Sequence, residues 1–206
     1  MCKGFQSLVL GVGVAVAAAS AVGAPVVSGY AVEGPDDSVC VSAAALSGWS
    51  AVGDSFEDSV EVRDVRGELL DTITRGQIGA LLPWMELNGG PDGVSGVGWS
   101  DSGRSLFILV HDSAVPGDGL GSDAVLRWDA YSGGLSVFVR VELFDSEASW
   151  PHLAVMHARG RLYVGTATGG LKIYSAGAAL SVGTLLSTTA LPDGGAVRGI
   201  ALDRDN

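Results

Sequence analysis

An all-β fold built of four-stranded antiparallel β-propeller blades is predicted by three observations. A strand-and-turn unit recurs: Gly98-Trp99-Ser100-Asp101-Ser102-Gly103-Arg104 lines up with Val155-Met156-His157-Ala158-Arg159-Gly160-Arg161 and with Ile200-Ala201-Leu202-Asp203-Arg204-Asp205-Asn206. Apolar runs follow the first two, at 106–110 and 162–165. Val, Leu, Ser, Thr and Gly dominate, with 31 glycines in 206 residues, about twice the usual share of roughly 7%. That is the composition of short strands joined by tight turns. No long helical pattern occurs after residue 25. Short strands at this spacing fit radial repetition, with a β-sandwich as the competing arrangement.

The chain opens like a secretory leader over residues 1–21. Lys3 supplies the positive start, and residues 8–19 form an apolar stretch of the usual length. Ala19-Ser20-Ala21 is a cleavage pattern, and Val22-Gly23-Ala24 is a second one made less attractive by Pro25. A secreted or periplasmic protein is therefore expected, with residues 22–206 as a partial propeller domain. The leader is short for a membrane span, and no second apolar span follows. Cys2 would leave with the leader, so Cys40 has no disulfide partner within the mature chain. In its setting, Ser38-Val39-Cys40-Val41-Ser42, it reads as a small buried hydrophobe.

Residues 39–45 open the strands. Ser59-Val60-Glu61-Val62-Arg63-Asp64 alternates polar and apolar, Val65-Arg66-Gly67-Glu68 turns, and residues 69–72 return, as in the outer hairpin of a blade. Residues 76–93 form a connector with a helical turn at 78–82, ended by Pro83. One whole blade follows: strands at 94–100, 105–110, 123–129 and 135–143, with Val125 and Trp128 as anchors of the third. A second has strands at 153–157, 161–166, 171–174 and 184–189, and residues 196–202 begin another. Two good blades and two partial ones are too few for a ring of at least about four. The expectation is an incomplete propeller: a fragment of a longer protein, with a premature stop or an assembly of chains as the other possibilities.

The formal charge is −11, from 12 basic and 23 acidic residues. Nucleic acid is excluded as a partner, because its phosphates need basic contacts. An anionic membrane surface is disfavoured for the same reason.

Propeller topology puts the loops between second and third strands on the same face as the links between blades. Here those are the long ones, 111–122 and 144–152, while the opposite face has only tight turns. Long loops on a rigid scaffold are the usual place for function. His111 and Asp112 end an apolar strand, and His152 starts the next inner strand near the central channel. These three are the candidate catalytic residues, a histidine with a carboxylate being able to serve as a general base. Asp118, Asp145 and Glu147 are the candidate metal ligands, with calcium as the metal their oxygens would suit. Trp150 is the tryptophan placed to touch a ligand, whereas His157 falls on the tight-turn face, away from the site. The competing account is structural: loop Asp and Gly satisfy turns, and the histidines bridge blades. No calcium loop of the D-x-[DN]-x-[DN]-G form, G-x-S-x-G elbow, His-Glu-x-x-His or paired-cysteine zinc spacing occurs.

Asp92-Gly93-Val94-Ser95-Gly96-Val97, Ser102-Gly103-Arg104-Ser105-Leu106-Phe107 and Gly160-Arg161-Leu162-Tyr163-Val164-Gly165 resemble exported bacterial propellers of the phytase-like or esterase-like group. The resemblance implies a propeller fold and, for true phytases, several calcium ions that bind phosphate. Their ligand set has no residue-by-residue match in this chain. Two main readings remain open. One is an exported module that binds an extracellular small molecule or protein, favoured by the lack of a complete catalytic set. The other is a calcium-dependent phosphoester or ester hydrolase using His111, Asp112 and His152. A lactonase-type metal propeller is a third.

Overall fold

Alternation with period two is clearest in Ser59–Arg63, where Val60 and Val62 are buried and their neighbours half-buried. This is the signature of a strand with one covered face, and the same logic builds twelve strands among the described residues. The computed structural model describes residues 39–44, 47–87, 92–112, 122–141, 155–166, 169–177, 182–190, 197 and 200. The first sheet holds β1 (Val39–Ala43), β2 (Ser50–Asp54), β3 (Ser59–Arg63) and β4 (Leu69–Ile73). Helix α1 (Arg75–Leu81) follows. The second sheet holds β5 (Gly93–Trp99), β6 (Ser105–His111), β7 (Asp123–Asp129) and β8 (Leu135–Val141). The third holds β9 (Val155–Ala158), β10 (Arg161–Gly165), β11 (Gly170–Ser175) and β12 (Thr184–Ala190). In each sheet every strand pairs antiparallel with the next in sequence. The first strand of each sheet lies against the first strand of its neighbour, so β1, β5 and β9 run side by side. This is a row of propeller blades, unclosed among the described residues.

The first blade is more complete than expected. The sequence predicts an opening strand and an outer hairpin, and the structure adds β2 between them. Its Ser-Ala-Val-Gly-Asp sequence is too small and polar to announce a strand, and Gly53 in its middle has a packing role. A Cβ there would lie 2.5 Å from the Cys40 Sγ and 2.8 Å from a Val94 methyl, so β2 approaches both strands closely. The connector forms two turns of helix rather than one. Thr74 caps α1 by accepting from the Gln77 N–H, and Gln77 Oε1 accepts from the Thr74 N–H at 2.8 Å. The helix stops at Leu82, just before Pro83.

Two apolar seams join the blades. The first packs Val60, Val62 and Ile73 against Leu106, Ile108, Val110 and Leu126, with Ile78 and Leu82 from the helix and its cap. The second packs Phe107, Leu109, Val125 and Phe138 against Leu162, Val164 and Tyr174. The strands β6 and β7 are apolar on both faces because they serve both seams. Burial in these seams pushes the Tyr174 phenol up to about 12. It also raises the half-buried Cys40 thiol to about 12, and a thiol held so high is a packing group.

Candidate functional site

On the long-loop face, the strand ends of the first two blades hold a set of buried polar side chains. His111 ends β6, opposite Gly93 of β5, and Asp123 starts β7. The His111 Nδ1 lies 2.6 Å from Asp123 Oδ1. A carboxylate accepts only, so the proton is on Nδ1. The same Oδ1 accepts from the Asp112 N–H at 3.4 Å. The Asp92 carboxylate stands 3.9 Å from His111 Nε2 on the other side of the ring. Asp112 in turn accepts at Oδ2 from the Glu86 N–H, 3.0 Å away, which ties the connector to the root of the loop. A second tie is electronic: the Arg140 guanidinium sits 4.2 Å over the Trp84 ring.

Asp58 belongs to the same layer. It is fully buried, has φ 51°, and pairs at Oδ2 with Arg75 Nε at 3.1 Å. Aspartate tolerates this left-handed conformation better than most residues. Gly93, at φ 130°, lies directly over its carboxylate; a Cβ would fall 1.6 Å from Asp58 Oδ1. Buried carboxylates are costly unless hydrogen-bonded or ion-paired, and here cations, imidazole and backbone N–H groups surround them.

Of the six predicted site residues, the structure brings His111 and Asp112 together, at the root of the loop that follows β6. Both are sealed from solvent, with the His111 side chain 4% exposed. His152, Asp118, Asp145 and Glu147 lie outside the described residues, as does Trp150. Among the described residues, no group of three or more His, Cys, Asp or Glu side chains is arranged to hold a metal ion. Asp58, Arg75, Asp92 and Asp123 were not anticipated. One signal was available: an acidic residue opens β7 opposite the strand that His111 ends, so the two meet across the sheet. Asp58 and Arg75 meet only because the turn after β2 and the start of α1 share one face, which the local sequence does not reveal.

Trp128-Asp129 closes the third strand of the second blade. A Trp-Asp pair also occurs in the signature of WD40 repeats, whereas the sequence reading marks Trp128 only as a packing anchor. No family model matches the chain, and no curated protein does. Among solved structures it is similar to U3-55K, with TM-score 0.49 and 15% identity over 79% of this chain and 42% of that one. It is similar to the WD40 repeats of RRP9, with TM-score 0.50 and 14% identity over the same shares, 79% and 42%. It is also similar to Sqt1 of Saccharomyces cerevisiae, with TM-score 0.47 and 15% identity over 73% and 32%. The chain spans less than half the length of these structures.

Identity this low speaks to fold alone, and that fold is the propeller blade, as in the WD40 repeats of RRP9. Two expectations are corrected by it. The phytase-like or esterase-like likeness rested on segments such as Asp92–Val97 and Gly160–Gly165, which are turn-and-strand grammar common to propellers of every kind. The secreted or periplasmic location is withdrawn together with the likeness to exported propellers. The leader read at residues 1–21 lies outside the described residues. No helix among the described residues is long and apolar enough to cross a membrane. The chain is an all-β set of propeller blades, similar in fold to the WD40 repeats of RRP9.

Proposed function

We propose that this chain is a protein-interaction module that presents its long loops on a fixed blade scaffold. One observation carries the proposal. The residues at the two roots of the 113–121 loop, His111 and Asp112 on one side and Asp123 on the other, are buried and bonded to one another. Such roots fix where a loop leaves the sheet and so limit the entropy lost when it binds. His111 and Asp112 act here as positioning residues. The carboxylates of Asp92 and Asp123 on either side of the His111 ring support that positioning role.

The test replaces residues 113–121 and 142–152, separately, with short Gly-Ser turns in the whole chain. Proteins that co-purify with the native chain are quantified against each variant, and circular dichroism checks the fold. The expected result is loss of the co-purifying proteins with the fold retained. Unchanged co-purification in both variants would overturn the proposal. So would turnover of an ester or phosphoester that depends on His111.

A further inference from the structure

The two seams end differently on the tight-turn face, and matching hydrogen bonds show which positions correspond. The Ala44 N–H donates to the Trp49 carbonyl at 2.8 Å in the first blade, as the Ser100 N–H donates to the Ser105 carbonyl at 2.8 Å in the second. Ser105 thus holds the place of Trp49. The Ala130 N–H donates to the Arg104 carbonyl as the Ala176 N–H donates to the Gly160 carbonyl, both at 2.8 Å. In the same frame, strand pairing sets His157 and Tyr174 on either side of Leu162, as it sets Trp99 and Trp128 on either side of Leu106. His157 thus holds the place of Trp99.

At the first seam two indoles meet edge-on, Trp49 against Trp99 at 6.3 Å, and Trp99 in turn meets Trp128 at 6.2 Å. At the second seam a serine and an imidazole stand at the places of Trp49 and Trp99. Phe107 follows Ser105 by two residues as Ala51 follows Trp49, and its ring stacks on His157 at 5.5 Å and 8°. A cleft of about 210 Å³ is still left there, lined by Ser105, Phe107, Arg127 and His157 among others. Its exposed lining is mostly apolar. The walls are fixed in place. His157 Nδ1 accepts from the Asp101 N–H at 3.3 Å, and its Nε2–H donates to the Ala176 carbonyl at 2.9 Å. The Arg127 Nε–H donates to Ser105 Oγ at 2.9 Å.

We propose that this cleft receives an aromatic side chain, a tryptophan, from an extended segment of a partner protein. The first seam shows what fits. There the indole of Trp49 packs at the corresponding place from within the chain, and at the second seam the partner supplies the ring. Phe107 and His157 give that ring an aromatic pair to pack against, and Arg127 gives it a cation. A neutral ring needs no hydrogen-bond donor from Arg104, which is already paired with Asp129 at 3.2 Å. Nor does Asp101, at the same cleft, oppose it as it would oppose an anion. This site lies on the face opposite the long loops and does not depend on them.

The test uses the whole chain and a short glycine-serine peptide that carries one fluorinated tryptophan. Binding is read by fluorine NMR, where the line of the probe broadens as the chain is added. Saturable broadening is expected. The same peptide with ordinary tryptophan should displace the probe, and versions with leucine or glutamate should need about fivefold more or higher. Ser102→Phe adds bulk at the exposed edge of the cleft and should weaken binding about tenfold or more. Ser105→Trp puts the chain's own indole where Trp49 has it, and should keep the fold and abolish binding. Near-UV circular dichroism checks the fold, and Ser102→Phe carries the test if Ser105→Trp unfolds the chain. Thr188→Phe, on the exposed outer strand of the third blade, should bind like the native chain. The proposal is overturned by an absence of saturable broadening, by a leucine peptide that displaces as well as tryptophan, or by undiminished binding in Ser102→Phe or in a folded Ser105→Trp. An equal loss in Thr188→Phe would also overturn it. None of these outcomes bears on the long loops, which stay intact throughout.

Discussion

Gly93 is the residue on which the long-loop face turns. Its φ of 130° is open to glycine, and its missing Cβ makes room for the buried Asp58 carboxylate. Backbone strain and steric overlap therefore act together in Gly93→Ala. The substitution should cost between about 2 and 5 kcal/mol. Urea unfolding measures this, and a cost below about 1 kcal/mol would mean that Asp58 is not seated as described. Gly53 is a milder case, since the atoms a Cβ would meet belong to the side chains of Cys40 and Val94, which can give way. At this scale the sequence singles out His111 and Asp112, because a histidine and an aspartate ending a strongly apolar strand stand out. Their buried partners are not singled out, because Asp58, Arg75 and Asp92 come from other elements.

At the scale of elements, the turn between β7 and β8 shows how a blade holds its own shape. Burial pushes the Asp129 carboxyl up. Hydrogen bonds from the Ser132 N–H, the Arg104 guanidinium, the Tyr131 N–H and the Ser132 hydroxyl outweigh it, so the group titrates below its ordinary value. A carboxyl depressed in the folded state stabilises fully above the unfolded carboxylate range, and the contribution fades as pH falls through the folded value. Asp129→Asn should therefore be less stable than the native chain near neutrality. The gap should narrow in acid below the usual range for Asp. Urea melts at successive pH values check the sign, and a gap that stays constant down to low pH would contradict it. The residues of this turn were readable from Ala130-Tyr131-Ser132-Gly133-Gly134. Gly133 takes φ 66°, as the turn requires. The strand β2 was not readable, because its identity depends on neighbours that accept small residues.

For the whole molecule, the seams matter more than any blade. Blades in a row contact only their neighbours, so stability is close to a sum over blades and seams. Phe107→Ala removes the ring that packs on Phe138 at 5.1 Å and on His157 at 5.5 Å. The expected cost is about 3–5 kcal/mol, concentrated at the second seam. Hydrogen exchange should show amides of β10 and β11 losing protection by about 100-fold or more. Amides of β2 and β3, which face the first seam, should keep theirs. Equal loss throughout would mean that the blades unfold as one unit. A second contact ties the same seam: a Cβ at Gly98 would lie 2.4 Å from the Val155 carbonyl, so β5 and β9 nearly touch.

The sequence by itself determined the class of fold, the order of strands in two blades, and the unequal length of loops on the two faces. These follow from local rules: period-two alternation, glycine at turns, and proline after a helix. Only the tertiary structure decided that the first blade is complete and that His111 is locked between carboxylates. It alone also showed that the tight-turn face opens a cleft where His157 replaces an indole. Each of these depends on which side chains meet across a seam or a sheet. Such meetings join residues far apart in the chain, and their volume and charge are settled in space.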